Sequence, residues 1–265
     1  MIRVLVNGVA GKMGRAMTAC LLQEADMELV GAVDQHRLGE DAGLVVGGGP
    51  VGVTVSGDLA ATIQASKPDV MLDFTVPKAV RGNLDLAMSL GLPCVVGTTG
   101  LTAQDLAELD ALSRKAKAPI FVAPNFAIGA VLLMRFAAEA ARYLPDYEIL
   151  ETHNEKKADA PSGTALATLM AMEASRQGES AGASNSTETV AGCRGGAYAG
   201  SRVHSMRLPG FIADQEVIFG AIGQNLTISH RTTGRECFWP GVALALRKVQ
   251  QLEGVVRGLE QIMEG

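Results

Sequence analysis

The densest group of reactive side chains lies in residues 151–165, E-T-H-N-E-K-K-A-D-A-P-S-G-T-A. His153 is a side chain that exchanges protons near neutrality. Lys156 and Lys157 add ammonium donors and cationic anchors. Pro161-Ser162-Gly163-Thr164 turns sharply into a predicted helix. There the backbone amides of Gly163 and Thr164, with the Thr164 hydroxyl, make a cradle for an anion. Proton donors facing such a cradle suit a carboxylate substrate. The plainer alternative is a solvated charged turn before a capped helix. The other three histidines, His36, His204 and His230, have no comparable cluster around them. His204 and His230 read as residues standing on strands.

A second constellation opens the chain. In V-N-G-V-A-G-K-M-G the glycines are Gly8, Gly11 and Gly14. Such a run lets a strand turn into a helix, lets amides approach a pyrophosphate and lets helix and sheet pack closely. The spacing is GxxGxxG rather than GxGxxG, and three glycines also suit an ordinary strand–helix turn. Asp34 strengthens the dinucleotide reading. It ends the next strand about 20 residues on, where an acid meets the adenosine ribose. Later strands end in Phe74-Thr75, in Gly97-Thr98-Thr99-Gly100 and in Ala123-Pro124-Asn125-Phe126. Parallel sheets bind ligands at those ends. Gly97 to Gly100 read alone is also a plain turn with a helix cap.

These motifs need elements to position them. Apolar runs at 2–7, 28–34, 69–74, 92–97 and 119–124 read as strands. Helical stretches at 11–23, 58–66, from Pro77, and at 102–116 alternate with them. Residues 35–57, rich in glycine, read as loop. Alternation of this kind predicts an α/β fold with a doubly wound parallel sheet, a Rossmann domain. Beyond Asn125 the pattern changes. Helices are predicted at 127–142 and 162–177, and strands at 147–153, 201–208, 215–221 and 224–231, with 178–200 as loop. Consecutive strands predict a second α+β domain of mostly antiparallel strands. Residues 237–263 read as one helix returning to the first domain. The expected boundaries are 1–125 plus 235–265 for dinucleotide binding, and 126–234 for substrate binding and oligomerisation.

Composition narrows the function. A net charge of −5 without a basic block makes the chain a poor candidate for non-specific nucleic-acid binding, small local basic patches aside. No run approaches the roughly 18 apolar residues of a membrane span, and the N-terminal apolar run is too short for a signal peptide. The four dispersed cysteines show no zinc spacing, so no metal site is expected, and they suit a reducing compartment. The expectation is a cytoplasmic enzyme without nucleic-acid or membrane partners.

H-N-E-K-K-A-D-A-P-S-G-T-A, with G-V-A-G-K-M-G, G-T-T-G and A-P-N-F in this order, resembles the 4-hydroxy-tetrahydrodipicolinate reductase family, long called dihydrodipicolinate reductases. The resemblance extends through R-L-P-G-F-I-A-D-Q-E-V-I-F-G to the C-terminal helix. It implies hydride transfer from NADH or NADPH to a cyclic imino-dicarboxylate of lysine and diaminopimelate biosynthesis, followed by protonation of the neighbouring carbon. His153 matches the family's catalytic histidine and Lys157 its proton-donating lysine, and the two roles can be exchanged. Gly163 and Thr164 match carboxylate-binding positions, with Asn154 and Ser162 beside them. Gly8, Val9, Ala10, Gly11, Lys12, Met13, Asp34, Gly97, Thr98, Thr99, Ala123, Pro124, Asn125 and Phe126 match cofactor contacts. The family implies a homotetramer built through the second-domain sheet. Many members carry His-His where this chain has His153-Asn154. Asn donates a hydrogen bond but carries no charge. The competing readings are another Rossmann dehydrogenase of amino-acid metabolism and a non-catalytic NAD(P)-sensing regulator. Neither needs the D-A-P-S-G-T-A stretch.

Overall fold

The computed structural model describes residues 1–178 and 187–263. The chain divides into two compact units, Met1–Ala127 with Arg235–Gly265, and Ile128–Gly234.

The first unit begins with strand β1 (Ile2–Asn7), helix α1 (Lys12–Leu21) and strand β2 (Met27–Val33). Val4, Leu5 and Val6 of β1 are fully buried, as a strand covered on both faces requires. Residues 35–57 are not all loop. Helix α2 (Ala42–Val45) and strand β3 (Val55–Ser56) lie within them. Asp41 organises this stretch: its carboxylate accepts the amides of Gly43, Leu44, Val51 and Gly52. These bonds hold its carboxyl pKa below the usual aspartate range, the Val51 amide contributing most. Helix α3 (Leu59–Ser66), strand β4 (Val70–Asp73), helix α4 (Pro77–Ser89) and strand β5 (Cys94–Val96) follow. Helix α5 (Ala103–Ala116) starts at a Thr102–Asp105 capping box, and strand β6 (Ile120–Val122) comes next.

In the second unit, helix α6 (Ile128–Ala141) precedes strand β7 (Asp146–His153) and helix α7 (Gly163–Ser175). Strands β8 (Gly196–Tyr198), β9 (Ser201–Arg207), β10 (Ala213–Ala221) and β11 (Gln224–His230) complete its sheet, in the order β11-β10-β7-β9-β8. Three of its four pairings are antiparallel, and β7 with β9 is parallel. Strand β8 falls within the stretch expected to be loop. Residues 179–186 of that stretch lie outside the described residues. Side chains of α6 and α7, including Leu133, Ala137, Leu169 and Met172, pack on one sheet face against Tyr147, Ile149, Val217 and Phe219.

Residues 237–263 are not one helix. A 3-10 turn leads to helix α8 (Trp239–Lys248), strand β12 (Val255–Arg257) and helix α9 (Glu260–Met263). Gly254 and Gly258, both with positive φ, bracket β12 and interrupt any continuous helix. Strand β12 pairs with β6, so the seven parallel strands run β12-β6-β5-β4-β1-β2-β3. The direction of strand order reverses between β1 and β4. A crevice opens beyond the carboxyl ends of the strands at such a switch point.

Candidate active site

The switch point holds a groove of about 320 Å³. Its wall includes Gly8, Ala10, Gly11 and Asp34, four of the expected cofactor residues, together with Asn7, His36, Thr75, Val76, Ala79 and Asn83. Gly8 and Gly14 are sterically required. Gly8 has φ +90, and a Cβ there would lie 2.4 Å from the Phe74 carbonyl oxygen. A Cβ on Gly14 would lie 1.9 Å from the Gly8 carbonyl oxygen. No side chain caps α1, so the amides of its first turn remain for a ligand. Asp34 is half-buried and anchored: Oδ2 accepts the Ala10 amide at 2.9 Å and Oδ1 the His36 amide at 2.9 Å. A bare anion cradle beside a fixed carboxylate fits a dinucleotide.

Other expected cofactor residues are placed differently. Val9 is fully buried and is not part of the groove wall. Lys12 is exposed and Met13 half-buried on α1. Thr99 and Pro124 are exposed, and Ala123 is buried. Gly97 lies against the Phe74 ring; a Cβ there would come within 2.0 Å of it. Asn125 accepts the Ala127 amide at 2.9 Å. The Phe126 ring is buried against Phe74 and Phe121, so it supports the wall that Phe74 forms.

Thr98 leads to a residue that sequence reasoning passed over. Its hydroxyl donates to Asp73 at 2.6 Å. Asp73 is fully buried at the end of β4. It also accepts the Asn7 amide group at 3.0 Å, the Asn83 amide group at 2.9 Å, and the Thr75 hydroxyl at 2.8 Å. One carboxylate thus ties the ends of β1, β4 and β5 to α4. The available signal was an aspartate closing an otherwise apolar strand, V-M-L-D.

The second unit carries the expected proton-transfer and carboxylate-binding residues. His153 ends β7, and the segment after it leads into α7. Lys157 Nζ pairs with both Asp159 oxygens, at 2.7 and 2.9 Å. The ammonium holds the Asp159 carboxyl below its ordinary range. Asn154 closes the turn, its Oδ1 accepting the Lys156 amide at 3.2 Å, while its Nδ2 has no partner among the described residues. Ser162 is the N-cap of α7, its hydroxyl accepting the Ala165 amide at 3.2 Å. The amides of Gly163 and Thr164 then have no partner among the described residues, and the space where a Gly163 Cβ would stand is open to 4 Å. Proton donors and an open helix start therefore share one loop.

Beneath this loop is the fully buried Glu151. It contacts His153 Nδ1 through Oε2, binds Arg207 through both oxygens at 2.8 and 3.1 Å, and accepts the Ser162 amide at 3.3 Å. Burial alone would raise its pKa. Hydrogen bonds from Arg207, Ser205 and His153 outweigh burial and leave it below the usual glutamate range.

Residues 2–126 match the family described as dihydrodipicolinate reductase, N-terminus, and residues 129–263 match dihydrodipicolinate reductase, C-terminus. The chain belongs to the dihydrodipicolinate reductase family. It is therefore an NAD(P)H-dependent oxidoreductase of the lysine and diaminopimelate pathway. A 4-hydroxy-tetrahydrodipicolinate reductase of Moorella thermoacetica is 52% identical over 263 residues, 99% of this chain and 98% of that protein. One from Desulfitobacterium hafniense is 47% identical, covering 99% of each. Among solved structures, the dipicolinate-bound dihydrodipicolinate reductase from Paenisporosarcina sp. TG-14 superposes with a TM-score of 0.87, at 40% identity and 99% coverage of each chain. Members of the dihydrodipicolinate reductase family and this chain thus correspond over both units.

Proposed function

We propose that the chain reduces 4-hydroxy-tetrahydrodipicolinate to tetrahydrodipicolinate with NADH or NADPH. The observation that carries this reading is the single loop that holds His153, Lys157 and the unpartnered amides of Gly163 and Thr164. The dipicolinate bound to the Paenisporosarcina relative is a planar cyclic dicarboxylate, the ligand shape such a cradle suits. In this reading the Gly163 and Thr164 amides hold one substrate carboxylate, helped by the helix N-terminus. The Asn154 Nδ2 is a further donor. When bound, the nicotinamide supplies the hydride. Lys157 then protonates the adjacent ring carbon, and His153 acts as its partner. Positioned acids typically contribute roughly 10²–10⁴-fold.

The test follows NADH absorbance with substrate formed in situ from pyruvate and aspartate semialdehyde. Lys157→Ala and His153→Ala should each lower turnover by about 10² or more. NADH affinity should change little, since the glycine loop belongs to the other unit. Near-normal turnover in both variants sinks the assignment.

Three finer readings accompany this one. Asp34, with an oxygen in contact with each of two amides, favours unphosphorylated ribose, so both cofactors serve and NADH is preferred. The chain works in the cytoplasm, a reading supported by its free cysteines; fractionation of cells tests it. A homotetramer forms through the sheet face of the second unit that α6 and α7 leave bare. Met206 and Ile218 are exposed there, beside the Glu148–His204 and Glu216–Arg231 pairs. A monomer by light scattering at micromolar concentration would exclude that assembly.

A further inference from the structure

We propose that Glu151 is a positioning residue for the reaction, fixing His153 as the Nδ1-protonated tautomer so that Nε2 is the atom offered to substrate. The inference rests on the reading above that His153 takes part in catalysis.

The geometry leaves His153 little choice. Glu151 is fully buried and meets donors on both oxygens. Arg207 Nη2 at 2.8 Å and the Ser162 amide at 3.3 Å donate to Oε1. Arg207 Nη1 at 3.1 Å donates to Oε2, which also contacts His153 Nδ1. An ionised carboxylate only accepts. The ring nitrogen in contact with it therefore carries a proton in the neutral imidazole, and Nε2 carries the lone pair. Nε2 has no hydrogen-bond partner among the described residues. When Nε2 takes up a proton, the same carboxylate stabilises the imidazolium.

Arg207 completes the device. Besides binding Glu151, its Nη2 donates to the Asp159 carbonyl at 2.7 Å. The Lys157–Asp159 end of the loop and the His153 end are thereby tied to one buried ion pair. The Ser162 amide ties in the start of α7 as well. A buried carboxylate without its cation would be strongly unfavourable, so Arg207 is what lets an anion sit behind the imidazole.

The substitution that separates positioning from packing is Glu151→Gln. A glutamine has one acceptor oxygen for four donors, of which only the imidazole can turn acceptor. The oxygen therefore belongs at the Oε1 position, where neither Arg207 Nη2 nor the Ser162 amide can accept, and the NH2 at the Oε2 position costs Arg207 Nη1 its bond there. That NH2 faces His153 Nδ1, which becomes the acceptor, and the proton moves to Nε2. A wrong tautomer lowers turnover by as much as roughly 10⁴-fold in a comparable carboxylate–imidazole pair.

The experiment uses full-length protein labelled with 15N in histidine, which has only four such residues. His153→Ala assigns the His153 signals. In the unmodified protein the expected signature is Nδ1–H with a bare Nε2. In Glu151→Gln it should invert, with kcat down about 10²-fold or more and KM changed far less. Glu151→Asp, which keeps the charge, should restore the tautomer and part of kcat. If His153→Ala retains turnover, the catalytic reading of His153 fails and takes this inference with it. If His153→Ala is impaired but Glu151→Gln keeps both tautomer and turnover, this inference alone is overturned. An Nε2-protonated neutral His153 in the unmodified protein overturns it even should the glutamine variant not fold.

Discussion

Replacing Asp34 by asparagine should change the choice between the two cofactors. An adenosine 2′-phosphate carries about −1.5 to −2 charges near neutrality. Asp34 is half-exposed, so the aqueous end of the Coulomb range applies, about 1 kcal/mol per pair of unit charges at 4 Å. The repulsion is then about 1.5–2 kcal/mol, or about 10–30-fold in relative affinity. Arg37 is occupied by Glu40 at 2.7 Å, which leaves Lys12 and Arg15 as the nearby cations to offset it. The substitution has a second effect. Asp34 satisfies the amides of Ala10 and His36 with one oxygen each, and asparagine has only one acceptor oxygen. One amide loses its partner, at about 1–3 kcal/mol, and the glycine loop weakens toward both cofactors alike. The quantity to measure is therefore the ratio of the NADH and NADPH dissociation constants, by fluorescence titration. In Asp34→Asn it should move about tenfold toward NADPH while NADH binding weakens. A ratio that stays within about threefold of the unmodified value, a shift under about 0.7 kcal/mol, would refute the electrostatic argument.

Thr164→Val, which keeps the amide, should weaken competitive inhibition by pyridine-2,6-dicarboxylate by about 1–3 kcal/mol, a lost hydroxyl bond to a charged group; unchanged inhibition removes the Thr164 hydroxyl from the substrate site. Gly14→Ala sets a Cβ 1.9 Å from the Gly8 carbonyl oxygen, so NADH affinity should fall and unfolding should shift by at least about 1–3 kcal/mol. Titration calorimetry and a melting curve unaffected by the methyl would contradict the close approach. Burial and the Glu173 hydrogen bond push the Tyr147 phenol up to about 12. A raised folded value means stability is whole below the ordinary value of about 10 and is lost as pH rises toward about 12. Tyr147→Phe should flatten that alkaline loss in denaturation curves, and an unaltered slope would count against the linkage.

Sequence pattern was most informative where apolar periodicity and glycine chemistry agree, as in β1, its glycine turn and α1. It failed where short elements are made by distant partners. Strand β12 has three residues, and only pairing with β6 makes it a strand. Helix α2 depends on Asp41 gathering amides from both sides of a glycine-rich stretch. In the proposed site, His153, Lys157 and Gly163–Thr164 could be singled out together because they share one loop. Arg207 was not: it reaches Glu151 from β9, with no spacing that marks it. Glu151 stood two residues before His153, yet a carboxylate on a strand betrays its role only once burial is known.

The C-terminal return has a consequence for how the chain is made. The first unit needs β12, whose Arg257 pairs with Val122 of β6, and the whole second unit is synthesised in between. A nascent chain emerging N-terminus first cannot complete this sheet until the second unit has been synthesised. Until then β6 is an unprotected edge, its backbone donors and acceptors free to recruit a neighbouring chain. The inserted unit is under no such constraint, since Ile128–Gly234 is contiguous. Vectorial synthesis therefore favours an order in which the inner unit matures first and the dinucleotide unit closes last.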